Sequence, residues 1–517
     1  MSTLMEAGAV QSEVVAHPVK QGNLRHTLAE IAPALSDQTV PLGSVRTVAG
    51  DQLQPQNVER ASEVLRKASI VHGDRVVVRA RHSISTVAWF AAVWHAGATL
   101  IPVSANIPDA ALDAIVADSG AAAVCDPETG TLTRHERQGE SRFIFSRPRR
   151  VTGVDLALII YTSGSTGRPK GILLTHTNVM SALAAITEYQ RLNASDTILC
   201  VPPLHFDYGL YQVLFAFYSG CAVVLAGETA QPVAIIRQIK AHNPTVLPIV
   251  PAIGSGIAAT MTAFSQAIGG VRLITNTGGH LPLPTIAALR TVFPGSEVMP
   301  MYGLTESKRA LFMPTGMLDA HEGSVGLPMP GLEAKVFVET EVETDDDARV
   351  LREAQSDEVG RLFVRGSSVM QGYSCEYNGA GARLISGRYR DDNWLDTGDL
   401  FSVDADGYFY FRGRDKELIK QGGFCLYPKD IEALAETCDP ALGAMLVGGV
   451  DKHGDEIACL FVLLPDGASQ AQRDAFRDAL KTRIDNNYMP RRIEFINEWP
   501  LNANAKIDRR ALTRIVS

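Results

Sequence analysis

Nowhere does the sequence space cysteines as Cys-x-x-Cys: the seven stand apart at 125, 200, 221, 375, 425, 438 and 459. Scattered, odd in number and mostly in apolar surroundings, they suit reduced thiols packed as small hydrophobes, and they exclude a zinc ribbon or a disulfide framework. Concentrated basic charge is also missing. The formal net charge is −9, and the Arg-Arg pairs at 149–150, 491–492 and 509–510 stand alone and read as solvated, so no nucleic-acid partner is expected. No apolar run is long enough to span a bilayer; the longest, around Val213 to Ala226, is broken by Ser219 and Gly220. The first residues carry no basic-then-apolar leader pattern, so a cytoplasmic protein without a membrane span is expected.

What is present is an ordinary globular balance, 46% apolar and 20% charged, over 517 residues, too many for one core. Runs at Arg75–Val78, Ala122–Val124, Thr197–Val201, Ala222–Ala226, Thr245–Val250 and Val271–Thr275 read as buried strands. Between them lie helix patterns, among them Val233–Ala241 opened by Pro232, and Thr285–Phe293 opened by Pro284 and stopped by Pro294. This alternation predicts an α/β body of mostly parallel sheets flanked by helices. Residues 340–358, with Asp345-Asp346-Asp347, read as a solvated loop; past Gly360 the strands are expected to shorten and turn antiparallel, forming a β subdomain. A break near Gly413–Lys416 divides the chain into residues 1–413, the body, and 414–517, a small mobile α+β lid. The lid has a helix from Pro428, strands near Leu442–Val450 and Ile457–Leu464, and a helix near Gln470–Ile484.

The most informative segment is Tyr161-Thr162-Ser163-Gly164-Ser165-Thr166-Gly167-Arg168-Pro169-Lys170-Gly171. It follows an apolar strand, Leu156 to Ile160, and precedes a helix carrying Val179, Leu183 and Ile186, with Thr177 and Asn178 as N-cap candidates. Glycines let backbone N–H groups close on an anion, hydroxyls add donors, and a lysine adds positive charge. That composition suits a polyphosphate. Pro169 before Lys170 and Gly171 after it exclude the Walker pattern of Gly-Lys-Ser/Thr at a helix start.

Residue for residue, this segment resembles the phosphate loop of the adenylate-forming superfamily, which includes acyl-CoA synthetases, peptide-synthetase adenylation domains and luciferases. Further segments follow in that family's order, over roughly residues 70 to 510: Asn276-Thr277-Gly278-Gly279-His280, Met301-Tyr302-Gly303-Leu304-Thr305-Glu306-Ser307, Trp394-Leu395-Asp396-Thr397-Gly398-Asp399-Leu400, Phe411-Arg412-Gly413-Arg414-Asp415-Lys416, and Pro500-Leu501-Asn502-Ala503-Asn504-Ala505-Lys506. The resemblance implies ATP binding by Thr162, Ser163, Gly164, Ser165, Thr166, Gly167 and Lys170. It places Gly278, Gly279 and His280 along adenine, with Tyr302 stacking on it and Gly303 also in the ATP-binding set. Thr305 would contact the α-phosphate, Glu306 would hold Mg²⁺, and Asp399 with Arg414 would hold the ribose. Lys416 becomes the hinge, and Lys506, with Thr305 and Glu306, the catalytic set. The family's usual glycine before that last lysine is Ala505 here.

The reaction so implied joins a carboxylic acid to ATP, giving an acyl-adenylate and pyrophosphate. Phe206 and Asp207, in Pro202-Pro203-Leu204-His205-Phe206-Asp207-Tyr208-Gly209-Leu210, align with the acyl pocket. Asp207 stays open: it reads as an α-amino-group ligand, as in peptide-synthetase domains, or as a helix cap. Tyr208-Gly209-Leu210 and the segment Gln421 to Glu432 favour the acyl ligase branch, with Gly422 and Gly423 lining an acceptor channel. The acceptor is expected to be a thiol, of CoA or a carrier protein. The alternatives are an amino-acid amine, as in stand-alone amide ligases resembling coronafacate ligase, and amino-acid activation through Asp207. The enzyme is expected to be free-standing.

Overall fold

The computed structural model describes residues 27–32, 45–135, 150–163, 169–227, 231–264, 267–340, 350–374, 384–386, 393–415, 418–421, 424–450, 456–465, 468–484, 488–501 and 507–516. The alternating pattern becomes two mainly parallel sheets. One runs Val45–Thr47, Ala222–Leu225, Thr197–Cys200, Val246–Ile249, Leu273–Asn276 and Glu297–Tyr302 in parallel, then two short antiparallel strands. The other carries Arg75–Ala80, Thr99–Ser104, Ala123–Asp126 and Leu156–Ser163 in parallel, with antiparallel partners at both ends. Their apolar runs are continuous because both faces are covered.

Burial of whole helices explains the long apolar stretches. The helix Ile84–His95 touches strands of both sheets, and almost all of it is buried, so it needs no polar face. Its Trp94 indole N–H donates to the Ala157 carbonyl at 3.0 Å, satisfying the buried ring's polar group. The helix Asp207–Ser219 is buried the same way, and with the strand Ala222–Leu225 it accounts for the 213–226 run. Among the described residues no helix is long and apolar enough to cross a membrane.

A third sheet is antiparallel throughout, and it contains Leu332–Thr340, Gly360–Gly366, Asn393–Val403 and Phe409–Arg414. The expected shortening of strands holds only in part: Gly372–Tyr373 runs 2 residues and Leu384–Ser386 3, but Asn393–Val403 runs 11. Nor is 340–358 wholly loop: Val350–Glu353 pairs with the end of Leu332–Thr340. Asp345 to Asp347 lie outside the described residues. Beyond residue 418, Gly443–Val450, Glu456–Leu463 and Arg492–Ile496 form a separate sheet. The helices Pro428–Glu436 and Gln470–Lys481 share an apolar cluster with it around Leu446, Leu460 and Phe476.

Three local expectations need correction. The helix after the phosphate segment begins at His176, with Thr175 as its cap. The Thr175 hydroxyl accepts from Asn178 N–H at 3.2 Å, while the Asn178 side chain reaches back to Thr175 N at 2.9 Å, a reciprocal pair that Thr177 could not make. The Pro284 helix spans Leu283–Val292, starting a residue before the proline, which the first turn tolerates because its N–H groups are unpaired anyway. Arg509 is not a solvated residue: its guanidinium meets the buried Glu432 carboxylate at 2.6 Å and donates to Leu446 O at 3.0 Å. Cys125, Cys200, Cys221, Cys438 and Cys459 are free and buried.

Candidate nucleotide site

The phosphate segment folds as a hairpin rather than a strand–loop–helix. Leu156–Ser163 pairs antiparallel with Pro169–Thr175, setting Lys170 opposite Thr162 and Pro169 opposite Ser163. Gly164, Ser165, Thr166 and Gly167, at its tip, lie outside the described residues. Tyr161 and Ser374 both donate to the Asp118 carboxylate, tying the hairpin to a neighbouring helix and to the chain beyond Tyr373. On the outer edge, Gly372–Tyr373 pairs with the second hairpin strand.

That edge pairing brings a residue to the site that motif reading missed. The Tyr373 hydroxyl donates to Glu306 Oε1 at 3.0 Å, and the Lys170 ammonium lies 5.6 Å from the Tyr373 ring centre. Tyr373 therefore stands between the lysine of the phosphate hairpin and the expected metal ligand. Its only sequence signal is an aromatic after a glycine.

Tyr302 ends a parallel strand, and Thr305 and Glu306 lie in the tight connection to Leu311–Phe312, which pairs back on it. The turn is so close that a Cβ on Gly303 would sit 1.9 Å from the Lys308 carbonyl oxygen, so only glycine fits. The Tyr302 hydroxyl donates to Asp399 Oδ2 at 2.6 Å, and its ring packs edge-on to Phe401 at 4.8 Å. Burial, with the Asp399 charge beside it, pushes the phenol well above its ordinary pKa, so it stays a donor. Asp399 and Arg414 face each other across two paired strands, with Arg414 Nε 3.3 Å from Asp399 Oδ1. Three residues expected from separate segments, 302, 399 and 414, thus converge.

The Asn276 to His280 segment leaves its strand toward the same region, with Gly278 at φ +85 and the Asn276 amide donating to Gly279 O at 3.1 Å. A small cleft lies here, lined in part by Asn276, Gly279, His280, Met301 and Ser324. His280 Nε2 is 3.8 Å from Glu436 Oε2, a contact to the helix Pro428–Glu436. Burial raises the Glu436 carboxyl to about 7.

In the acyl region, Phe206 is the N-cap residue of the helix Asp207–Ser219 and Asp207 is its first residue. Asp207 stands inside the first turn, one position past the N-cap, against its reading as the cap; its carboxylate lies 3.6 Å from the Lys308 ammonium. Lys416, Gly422, Gly423 and Lys506 lie outside the described residues, as does the side chain of Ser163.

Taken as chemistry, a phosphate hairpin, a ring beside a buried carboxylate and guanidinium, and a separate carboxylate near the hairpin lysine form a site suited to a nucleotide. The pattern of the AMP-binding enzyme family matches residues 52–374, more than half of the chain, and the chain belongs to that family. A 4-coumarate–CoA ligase-like protein (number 4) of Oryza sativa subsp. japonica is 30% identical over 379 residues, 72% of this chain and 65% of its own. The long-chain-fatty-acid–CoA ligase of Bacillus subtilis (strain 168) is 30% identical over 365 residues, 69% of this chain and 61% of its own. The chain thus spans less than two thirds of either relative. In fold it is similar to the anthranilate CoA ligase AuaEII, solved with anthranoyl-AMP, at a TM-score of 0.79 and 20% identity over 96% of this chain and 98% of that one.

Proposed function

We propose that this chain is an AMP-forming acid ligase that joins a carboxylic acid to ATP and passes the acyl group to a thiol, with CoA the acceptor the relatives' names favour. The observation that carries this reading is the convergence of Tyr302 with Asp399, 97 residues later in sequence, and of Asp399 with Arg414. In the first step a carboxylate oxygen attacks the α-phosphorus. The acyl-oxygen–phosphorus bond forms, the bond to the bridging oxygen breaks, and pyrophosphate leaves. In the second, a thiolate attacks the acyl carbon and AMP leaves with the oxygen that joined them.

Each described residue has a physical task. Asp399, held by Tyr302 and Arg414, offers carboxylate oxygens to ribose hydroxyls. The ring of Tyr302 supports the base, and Gly278 and Gly279 leave room for its other edge. Lys170 and the backbone of the hairpin offset phosphate charge, and Thr305 contributes a hydroxyl. Nucleophile and triphosphate repel, so the work is mainly positioning and neutralisation.

No cluster of three or more metal-ligating side chains occurs among the described residues. That suits Mg²⁺, which is commonly held by one or two carboxylates together with substrate phosphates, and Glu306, oriented by Tyr373, is the hard oxygen donor available. Bound there, Mg²⁺ would supply charge neutralisation at the phosphates. Lys506 is assigned to the substrate carboxylate and Lys416 to the pivot between the half-reactions, both on the family resemblance. Asp207 is already engaged by Lys308, which weighs against binding of a substrate amine.

The test is incubation of the protein with ATP, Mg²⁺, a panel of acids, and either CoA or mixed amino acids, with products read by mass. AMP, pyrophosphate and an acyl-CoA are expected. An acyl amide instead would move the acceptor to an amine, and ADP would overturn the proposal.

A further inference from the structure

Lys308 is an unusual lysine. Its side chain is 1% exposed, its partner Asp207 is 6% exposed, and they lie 3.6 Å apart, too far for a hydrogen bond. Among the described residues the ammonium has no hydrogen-bond partner at all. Its other neighbour is the Tyr211 ring, 5.0 Å away, whose hydroxyl is likewise buried without a partner. Leaving buried donors unmade costs about 1–3 kcal/mol for a neutral group and more for a charged one, so such groups are usually satisfied by something.

The backbone points the same way. Lys308 has φ +68, a left-handed conformation that a non-glycine residue adopts at a cost, and strain of this kind collects at binding sites. Lys308 follows Glu306 by two residues, a reach of at most about 7 Å between their backbones. Asp207 stands at the amino end of the helix Asp207–Ser219. Arg309, with its guanidinium 4.7 Å from the Tyr208 ring, adds a second cation.

We infer that Lys308, held by Asp207 and Tyr211, is the specificity-determining residue of the acyl pocket and binds a second oxygen acceptor on the acid, such as a carboxylate or hydroxyl away from the reacting carboxylate. This rests on the adenylation reading above and names its substrate class. Such a substrate supplies the hydrogen-bond acceptor the lysine lacks; an unsubstituted acyl chain leaves the ammonium with its ion pair to Asp207 but without that hydrogen bond. A pocket built to hydrogen-bond a polar group rejects the analogue lacking it far better than an apolar pocket distinguishes methylenes.

The experiment compares matched acids by hydroxylamine trapping of the adenylate: hexanoate, 6-hydroxyhexanoate and adipate, and benzoate, 3-hydroxybenzoate and isophthalate. The wild type is expected to favour an oxygen-bearing member of a set over the unsubstituted acid by at least about 100-fold in kcat/KM. In Lys308→Met that ratio should fall to within about threefold of unity. Lys308→Met with Asp207→Asn, which leaves no unpaired charge, should do the same if the single variant does not fold. Trapping with no preference for oxygen in the wild type, or an equal loss for every acid in the variants, overturns the inference alone. No trapped product with any acid overturns the adenylation reading and this inference with it. A preference for adipate and isophthalate over the hydroxy acids would identify the acceptor as anionic.

Discussion

The hydroxyl of Tyr302 donates to the carboxylate of Asp399 at 2.6 Å, joining the last residue of a parallel strand to the middle of an antiparallel one. The bond fixes the ring and the carboxylate in one arrangement before any ligand arrives, which is the preorganisation that a nucleotide site needs. Tyr302→Phe keeps the ring and deletes the bond. ATP affinity should fall about tenfold, from a loss near 1–2 kcal/mol. Isothermal titration with ATP checks this; an unchanged affinity would mean the pair is only structural.

Tyr373 bears on Glu306 in a similar way. Removing a partner that orients a metal-binding carboxylate commonly costs 10–100-fold in metal affinity. Tyr373→Phe should therefore raise the Mg²⁺ concentration for half-maximal ATP-dependent activity by about tenfold. It should have little effect on thermal stability, because the hydroxyl lies at a partly open site. Mg²⁺ titrations at fixed ATP, alongside thermal melts, separate the two effects.

Much of this was legible in sequence, and the failures have a common cause. The strands at 75–80, 197–200, 222–225, 246–249 and 273–276 followed from apolar runs, and Tyr302, Asp399 and Arg414 stood in recognisable segments. Tyr373 did not, because its place depends on Gly372–Tyr373 joining the edge of a sheet 200 residues earlier, opposite Ile172 and Leu173. Lys308 carries no sequence mark of its burial, because it lies against Asp207, a contact across 101 residues that no local pattern encodes. Arg509 is a similar case. Its charge looks solvated until the Gly443–Val450 strand and Glu432 are placed around it.

Glu432 is buried and contacts both Lys429 and Arg509 while accepting from Leu446 N–H at 2.9 Å. Removing one partner from a buried charge cluster costs about 3–5 kcal/mol. Glu432→Ala should unfold the residues after 418 at markedly lower urea, visible as a separate early transition. A single unchanged transition would show that the cluster contributes little.

Acid should destabilise the protein through buried histidines, His82 and His176 among them. Burial holds His82 and His176 down at about 4, and His176 Nδ1 accepts from Leu28 N–H at 3.0 Å, which only the neutral ring can do. Unfolded, each titrates near 6.5, so between pH 6.5 and 4 the unfolded chain binds more protons. Stability should then fall as pH falls across that window, by up to about 1.4 kcal/mol per pH unit for each ring. Melts from pH 4 to 8 should show this slope, reduced in His176→Asn.

The central claim is that a carboxylate oxygen of the acid bonds to the α-phosphorus of ATP. An acid carrying ¹⁸O in its carboxylate, turned over with ATP and CoA, tests it by mass measurement of the nucleotide product. The account predicts AMP containing one ¹⁸O and pyrophosphate containing none. Label in inorganic phosphate or pyrophosphate, or unlabelled AMP alongside acyl-CoA, would contradict it.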